Sequence, residues 1–91
     1  MYKLEEIRSL TLGTEAETVR INGLSCLIEN NSASATVYFK ERREDEKDVT
    51  AENGWALGPG ERTAVPLTAL ELSLCSGAGN TDVRVMILEE L

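Results

Sequence analysis

Apolar and polar residues alternate with a period of two along most of this chain. The alternation is clearest in Thr18–Asn22, Leu24–Glu29 and Thr81–Leu88. Because successive side chains of a β-strand point to opposite faces, this pattern predicts strands with one buried face. Ala35–Lys40 is rich in β-branched and aromatic residues, and Ala69–Cys75 carries leucines at alternate positions, so each predicts a further strand.

Short clusters of turn-forming residues separate these strands. Asn22 and Gly23 make a tight-turn signal, and Asn30–Ser32 and Ser76–Asn80 are also suited to turns. We therefore expect the strands on either side of Asn30–Ser32 to form one hairpin. A second hairpin is expected on either side of Ser76–Asn80.

The middle of the chain is less regular. Lys40–Asp48 holds nine consecutive polar residues of mixed charge and is interpreted as a solvated loop or strand edge. Val49–Ala51 is predicted as a short extended piece. Asn53–Glu61 contains three glycines and one proline, so we expect an irregular double turn. Arg62–Leu67 is predicted as an edge strand, because its proline lacks a backbone donor.

The first dozen residues fit either a helix or a strand. Leu4, Ile7 and Leu10 are spaced by three, as on one side of a helix, whereas Ile7–Leu12 also fits an edge strand. We favour a strand over Arg8–Leu12, preceded by an irregular or helical start.

The strand spacing predicts the fold class. Strands that recur about every eight to twelve residues, with turns between them and no long helix, indicate an antiparallel sandwich or barrel. We predict an all-β protein, a small antiparallel β-sandwich of jelly-roll-like form with about seven or eight strands, in which residues 1–91 make a single domain. The predicted inner layer consists of Val19, Ile21, Leu24, Cys26, Ile28, Val37, Phe39, Leu57, Val65, Leu67, Leu70, Leu72, Leu74, Val83, Val85 and Ile87.

Composition narrows the range of functions. The 91 residues include 16 acidic and 9 basic side chains and no histidine, for a net charge of -7. Histidine-based catalysis and most zinc or iron sites are therefore excluded. An acidic chain without clustered Lys and Arg argues against a nucleic-acid partner. We also expect no membrane partner, since no apolar run approaches the ~20 residues of a membrane span. Without a signal-peptide pattern at the start, we expect the protein to be made in the cytoplasm and not exported.

No candidate catalytic or metal-binding group emerges from the sequence. The serines and cysteines lack an imidazole base, and the lysines lie in polar stretches. Glu44–Asp48 offers carboxylates but lacks the glycine and the spacing of a calcium loop. We predict no enzyme activity, no cofactor and no metal. Cys26 and Cys75 are expected to be reduced and to point to different layers, since alternation places only the first with the inner layer.

Exposed apolar side chains are the remaining candidates for function. Trp55, the single Trp, lies in a glycine-rich segment and is either a stacking platform or contact anchor, or a plug over the open end of the sandwich. Alternation places Met86, Leu88 and Leu27 on faces opposite the core, beside Tyr38. If these faces share one sheet, they form an apolar patch suited to an oligomer interface.

The stretch from residue 30 to 88 resembles small structural proteins of tailed bacteriophage and prophage virions. The resemblance rests on the turn at Asn30–Ser32, the segment Val49–Glu61 and the terminal strand that begins at Thr81. It implies a β-sandwich that serves as a head, neck or tail accessory component, often in trimers or rings, without catalytic residues. It also implies that one shaped loop is built by the residues Asn53, Gly54, Trp55, Gly58, Pro59 and Gly60.

Two hypotheses follow. The first is a non-enzymatic virion structural or accessory protein that acts through self-assembly, as a homo-oligomer such as a trimer, and through docking to other virion proteins. The second is a small carbohydrate- or ligand-binding β-sandwich that uses Trp55.

Overall fold

Eight strands build the protein in a computed structural model that describes residues 2–22, 24–43, 47–65 and 71–90. No helix occurs in these ranges. The strands are β1 (Tyr2–Leu12), β2 (Glu17–Arg20), β3 (Ser25–Asn30), β4 (Val37–Arg42), β5 (Trp55–Leu57), β6 (Arg62–Val65), β7 (Glu71–Ser76) and β8 (Thr81–Glu90).

The strands form two antiparallel four-stranded sheets. Sheet 1 has the order β1-β8-β3-β6 and sheet 2 has the order β2-β7-β4-β5. Two stacked four-stranded sheets with these interleaved strand orders have the arrangement of a jelly roll. The predicted all-β sandwich is confirmed.

The two predicted hairpins are wrong. β3 belongs to sheet 1 and β4 to sheet 2, and β7 and β8 are separated in the same way. Among the described residues, β4 and β5 are the only consecutive strands that pair with each other. A turn signal reports that the chain reverses, but not whether it returns beside the same strand or crosses to the facing sheet. The period-two pattern is the same in both cases.

The core lies between the sheets and agrees with the predicted inner layer. Every predicted core residue in the described ranges is buried, except that Leu24 is only partly buried against the cluster. Leu67 and Leu70 lie outside the described residues. Leu12, Val49 and Cys75 are also buried, although the pattern did not place them in the inner layer.

The helical or irregular start predicted before Arg8 is wrong, because β1 is a strand from Tyr2 to Leu12 that pairs with β8 along its length. The register shifts between Leu4 and Glu6, which marks a β-bulge. One extra residue at a bulge changes which face the following side chains occupy. The bulge therefore places Leu4 and Ile7 on one face at a spacing of three. Leu10, the third residue of the helix-like pattern, packs against the core on the opposite face.

The segment after β4 also differs from the prediction. β5 is a regular strand paired with β4, although its sequence suggested only an irregular double turn. Val49–Ala51 is not a strand; Val49 is buried, and its backbone NH donates to Ser73 Oγ (3.0 Å). Ser73 points away from the core, so this loop covers the outer side of sheet 2. That cover explains why β7 is buried on both faces.

Candidate functional site

The outer face of sheet 1 carries a continuous group of apolar side chains. Pairing places Ile7 beside Met86, Met86 beside Leu27, and Leu27 beside Ala64. The adjacent row brings Leu4 beside Leu88. We call these six residues the apolar face.

Much of the apolar face is open to solvent. Ile7 is 53% exposed and Leu4 is 49% exposed, and the neighbouring Tyr2 is 55% exposed. Leu27, Met86 and Leu88 are half-buried. Single exposed apolar residues are ordinary on protein surfaces, whereas contiguous exposed apolar groups are typical of contact surfaces.

Charged residues bound the apolar face on one side. The next row across the sheet contains Ser9, Arg84 and Glu29, and Arg62 pairs with Glu29 on the edge strand. Arg84 also forms a 3.7 Å ion pair with Asp82. The outer face of sheet 1 is therefore apolar over one half and polar over the other.

The structure separates the four predicted contact residues into three places. Met86 and Leu88 lie together on the apolar face, as the alternation indicated. Tyr38 lies on β4 in sheet 2, directly opposite Cys75, so it does not belong to this patch. Trp55 lies on the edge strand β5, opposite Phe39. Sequence reasoning missed Leu4, Ile7 and Tyr2, because the bulge disguised the alternation of β1.

Trp55 is 73% exposed. A plug over the end of the sandwich would be buried, so that interpretation is wrong. An exposed indole on an edge strand is instead free to stack against another molecule.

The shaped loop holds its form through local hydrogen bonds. Asn53 Oδ1 accepts from the Thr50 NH (2.6 Å), and its Nδ2 donates to the Asp48 carbonyl (3.2 Å). A Cβ added to Gly54 would lie 2.5 Å from Val49 Cγ2 and 3.3 Å from the Phe39 nitrogen, so only glycine fits there.

The second half of that loop, around Gly58, Pro59 and Gly60, is a tight turn. The Glu61 carboxylate accepts from the Gly58 NH (2.6 Å), and the Glu61 NH donates to the Gly58 carbonyl (3.1 Å). Gly60 has a φ of 73°, a left-handed conformation that favours glycine, and Pro59 is exposed.

Asn30 is completely buried, and its side chain connects this turn to the core through hydrogen bonds. Its Nδ2 donates to the carbonyls of Ala35 (2.8 Å), Leu57 (3.0 Å) and Gly58 (3.0 Å). Its Oδ1 accepts from the Ser32 NH (3.0 Å). From the sequence, Asn30 was predicted only as a turn residue. A single buried polar side chain at the end of a strand produces no periodic pattern that could reveal its hydrogen bonds.

Arg42 ties the covering loop to sheet 2. It forms ion pairs with Asp48 (2.9 Å) and Glu71 (3.0 Å). The loop predicted for Lys40–Asp48 therefore begins after β4, and its last residue returns to the sheet. Glu44, Asp45 and Glu46 lie outside the described residues.

Three titratable groups among the described residues have shifted pKa values. Burial raises the pKa of the Cys26 thiol to about 11 and also raises the pKa of Cys75. Both cysteines are free and buried, and they lie on different faces, as predicted. The hydrogen bond that the protonated Glu89 carboxyl donates to Glu5, together with the negative charge of Glu5, raises the pKa of the exposed Glu89 carboxyl.

Comparison with protein-family models, curated proteins and solved structures finds no match for this chain. Among the described residues, no three His, Cys, Asp or Glu side chains are grouped as metal ligands. The same ranges contain no helix long and apolar enough to cross a membrane.

Proposed function

We propose that this protein is a non-enzymatic assembly module that works by protein contact through the apolar face of sheet 1. The observation that carries the proposal is the contiguity of Leu4, Ile7, Met86 and Leu88 on one sheet, with two of them about half exposed. A polar half on the same face would orient a partner, because charged groups resist burial without a counterpart.

The open shape of the apolar face favours a protein partner over a small ligand. Contiguous exposed apolar patches are typical of protein contact sites, whereas small ligands bind in concave pockets. The groove beside this face, lined by Tyr2, Ser25, Ala64 and Leu88 among others, has a volume of about 160 Å³. That is below the ~300 Å³ of a typical ligand pocket.

The setting we propose is a phage-type virion, where the protein acts as an accessory component that assembles with itself and docks to other virion proteins. The resemblance of residues 30–88 to such proteins supports this setting, and jelly rolls are a common fold of virus coat proteins. Fold alone does not assign function, so the setting has its own test. Genes for portal, terminase or tail proteins beside this one would support it, and metabolic neighbours would contradict it.

The contact role predicts self-association in solution. At micromolar concentration, light scattering or sedimentation is expected to give a specific species heavier than the 10.0 kDa chain. Met86→Lys is expected to weaken association roughly tenfold or more, because it places a charge in the centre of a buried contact.

Thr18→Lys is the matched control, since it makes the same charge change at an exposed position of sheet 2. This variant is expected to associate as the unmodified protein does. A 10.0 kDa species at every concentration, or equal effects of the two lysines, would contradict the proposed contact role.

The exposure of Trp55 supports a second candidate function, a carbohydrate- or ligand-binding sandwich. The single indole is 73% exposed, and aromatic side chains on open surfaces stack on sugar rings and other flat ligands. Titration with a panel of glycans is then expected to quench or shift the indole emission, with a non-cyclic polyol as control. Unchanged emission across the panel would remove this candidate.

A further inference from the structure

The free edges of the two sheets differ greatly in length. Three of them are short: β2 and β6 have 4 residues each and β5 has 3. The fourth is β1, with 11 residues. Natural sheets protect their edges by keeping edge strands short, because an unpaired strand is a template for another chain. β1 is the exception in this protein.

β1 is open as well as long. All its side chains from Tyr2 to Ser9 are exposed, and in the described residues only β8 pairs with it. An open edge of this length offers a row of backbone donors and acceptors that a further strand can use.

We propose that β1 pairs antiparallel with β1 of a second copy, with Ile7 on the two-fold axis. The inference deepens the proposed self-assembly and rests on it. It names the partner, a second copy of this chain, and the register of the contact.

Backbone geometry limits the possible registers. Successive residues of a strand direct their NH and CO groups to alternate edges. A symmetric antiparallel pair must therefore have its axis at one residue, opposite the same residue of the second copy. In this arrangement, the residues before and after the axis face each other across the contact.

Charge then selects the axis. An axis at Glu5, Glu6 or Arg8 places identical charges opposite each other, and cross-strand like charges destabilise a sheet. An axis at Ile7 places Glu6 opposite Arg8 of the second copy, and Arg8 opposite its Glu6. Ile7 is also the midpoint of β1 (Tyr2–Leu12), so this register gives the longest overlap.

The side-chain directions agree with this register. Glu6 and Arg8 lie on the same face of β1, since they pair with Ile87 and Val85 of β8, and within one chain they already contact each other. Opposite residues of an antiparallel pair share a face. Each carboxylate therefore has a guanidinium of its own chain and one of the second copy beside it.

Pairing in this register also joins the apolar faces. The row Leu27, Met86 and Ile7 of one copy continues directly into Ile7, Met86 and Leu27 of the other. The combined sheet has eight strands and twice the apolar face of one chain. The pair therefore presents a larger docking surface than a single chain does.

Charge exchange between two variants tests the register. Glu6→Arg alone places arginines opposite arginines, and Arg8→Glu alone places carboxylates opposite carboxylates. Sedimentation of each variant is expected to show roughly tenfold or more weaker pairing, because both cross-strand ion pairs become repulsive. An equimolar mixture of the two is expected to pair again, since every guanidinium then faces a carboxylate.

Glu52→Arg is the matched control for Glu6→Arg, and Lys47→Glu is the matched control for Arg8→Glu. Each control makes the same change in charge at an exposed position away from β1. Each is expected to pair as the unmodified protein does, alone and mixed. Recovery on mixing also shows that the β1 variants are folded, so a loss of pairing cannot be attributed to misfolding.

The outcomes separate this inference from the proposed contact role. If the unmodified chain pairs but Glu6→Arg and Arg8→Glu leave it unchanged, the register is wrong and the contact role stands. If these variants act as expected but Met86→Lys has no effect on association, the edge pairing stands, because Met86 lies on β8, one strand away from the pair contact. Burial of the apolar face in self-association then fails. A monomer at every concentration, or an assembly of odd number such as a trimer, overturns the pairing.

Discussion

Asn30→Asp is expected to lower the free energy of unfolding by about 4 kcal/mol, because it buries a carboxylate among carbonyl oxygens. The Asn30 amide nitrogen donates to three backbone carbonyls at 2.8–3.0 Å. The replacement removes that donor and directs a negative charge toward the same three acceptors. Urea unfolding followed by the Trp55 fluorescence measures the change.

The pH dependence of the free energy of unfolding gives a second test of Asn30→Asp. Burial and the facing carbonyls raise the pKa of the introduced carboxyl above its unfolded value of about 3.9. The protonated form is therefore favoured in the folded state, and it donates one hydrogen bond in place of the amide. The deficit in stability is expected to be complete above the raised pKa of the folded state, to narrow as pH falls from there toward about 4, and to change no further below that pH.

Two variants serve as controls for Asn30→Asp. Asn30→Ala removes the donor without adding charge and is expected to cost about 3 kcal/mol, with no pH signature. Asn31→Ala removes an exposed side-chain bond to Asp82 (3.0 Å) and is expected to stay within about 0.5 kcal/mol. Equal stabilities of the Asn30 and Asn31 variants would contradict the role of Asn30 as a buried hub.

Gly54→Ala is expected to cost about 2 kcal/mol through overpacking. Its new methyl group would approach Val49 Cγ2 to 2.5 Å and the backbone of Thr50 and Phe39 to 3.2–3.3 Å. Val49 belongs to the covering loop, and its backbone NH donates to Ser73 Oγ of β7. The loop must therefore shift away from sheet 2, which a fall in the urea midpoint would report.

Gly79→Ala is the matched control, since no atom lies within 4 Å of the position its methyl group would take. It is expected to be neutral or slightly stabilising, because alanine restricts the unfolded chain. In the double variant with Val49→Ala, the cost of the Gly54 change is expected to fall by at least half, since the nearest clashing atom is gone. An unchanged cost would show that the strain arises elsewhere.

The sequence predicted which residues are buried far better than which strands are neighbours. Burial follows from alternation along one strand, and residues such as Val83, Val85 and Ile87 carry that signal locally. Sheet membership depends on where a reversing chain returns, and Asn30–Ser32 and Ser76–Asn80 look the same whether the chain turns within a sheet or crosses between sheets.

The candidate site was predictable only where alternation was unbroken. Met86 and Leu88 follow the period of β8 and were placed outside the core from the sequence. Leu4 and Ile7 belong to the same surface, but the bulge shifts the period between them, and a bulge has no reliable sequence signature. The position of β1 at the edge of sheet 1 could not be predicted in this way, because strand order is a property of the whole sheet.

The position of β8 in the middle of sheet 1 has a consequence for biosynthesis. β8 is the last strand along the chain, and it separates β1 from β3. On the ribosome, β3 can pair with β6 once both strands have emerged, but β1 has no partner in its own sheet until β8 has emerged. Such distant pairings close slowly, so β1 joins sheet 1 late, and until then its apolar side chains remain unpaired and exposed.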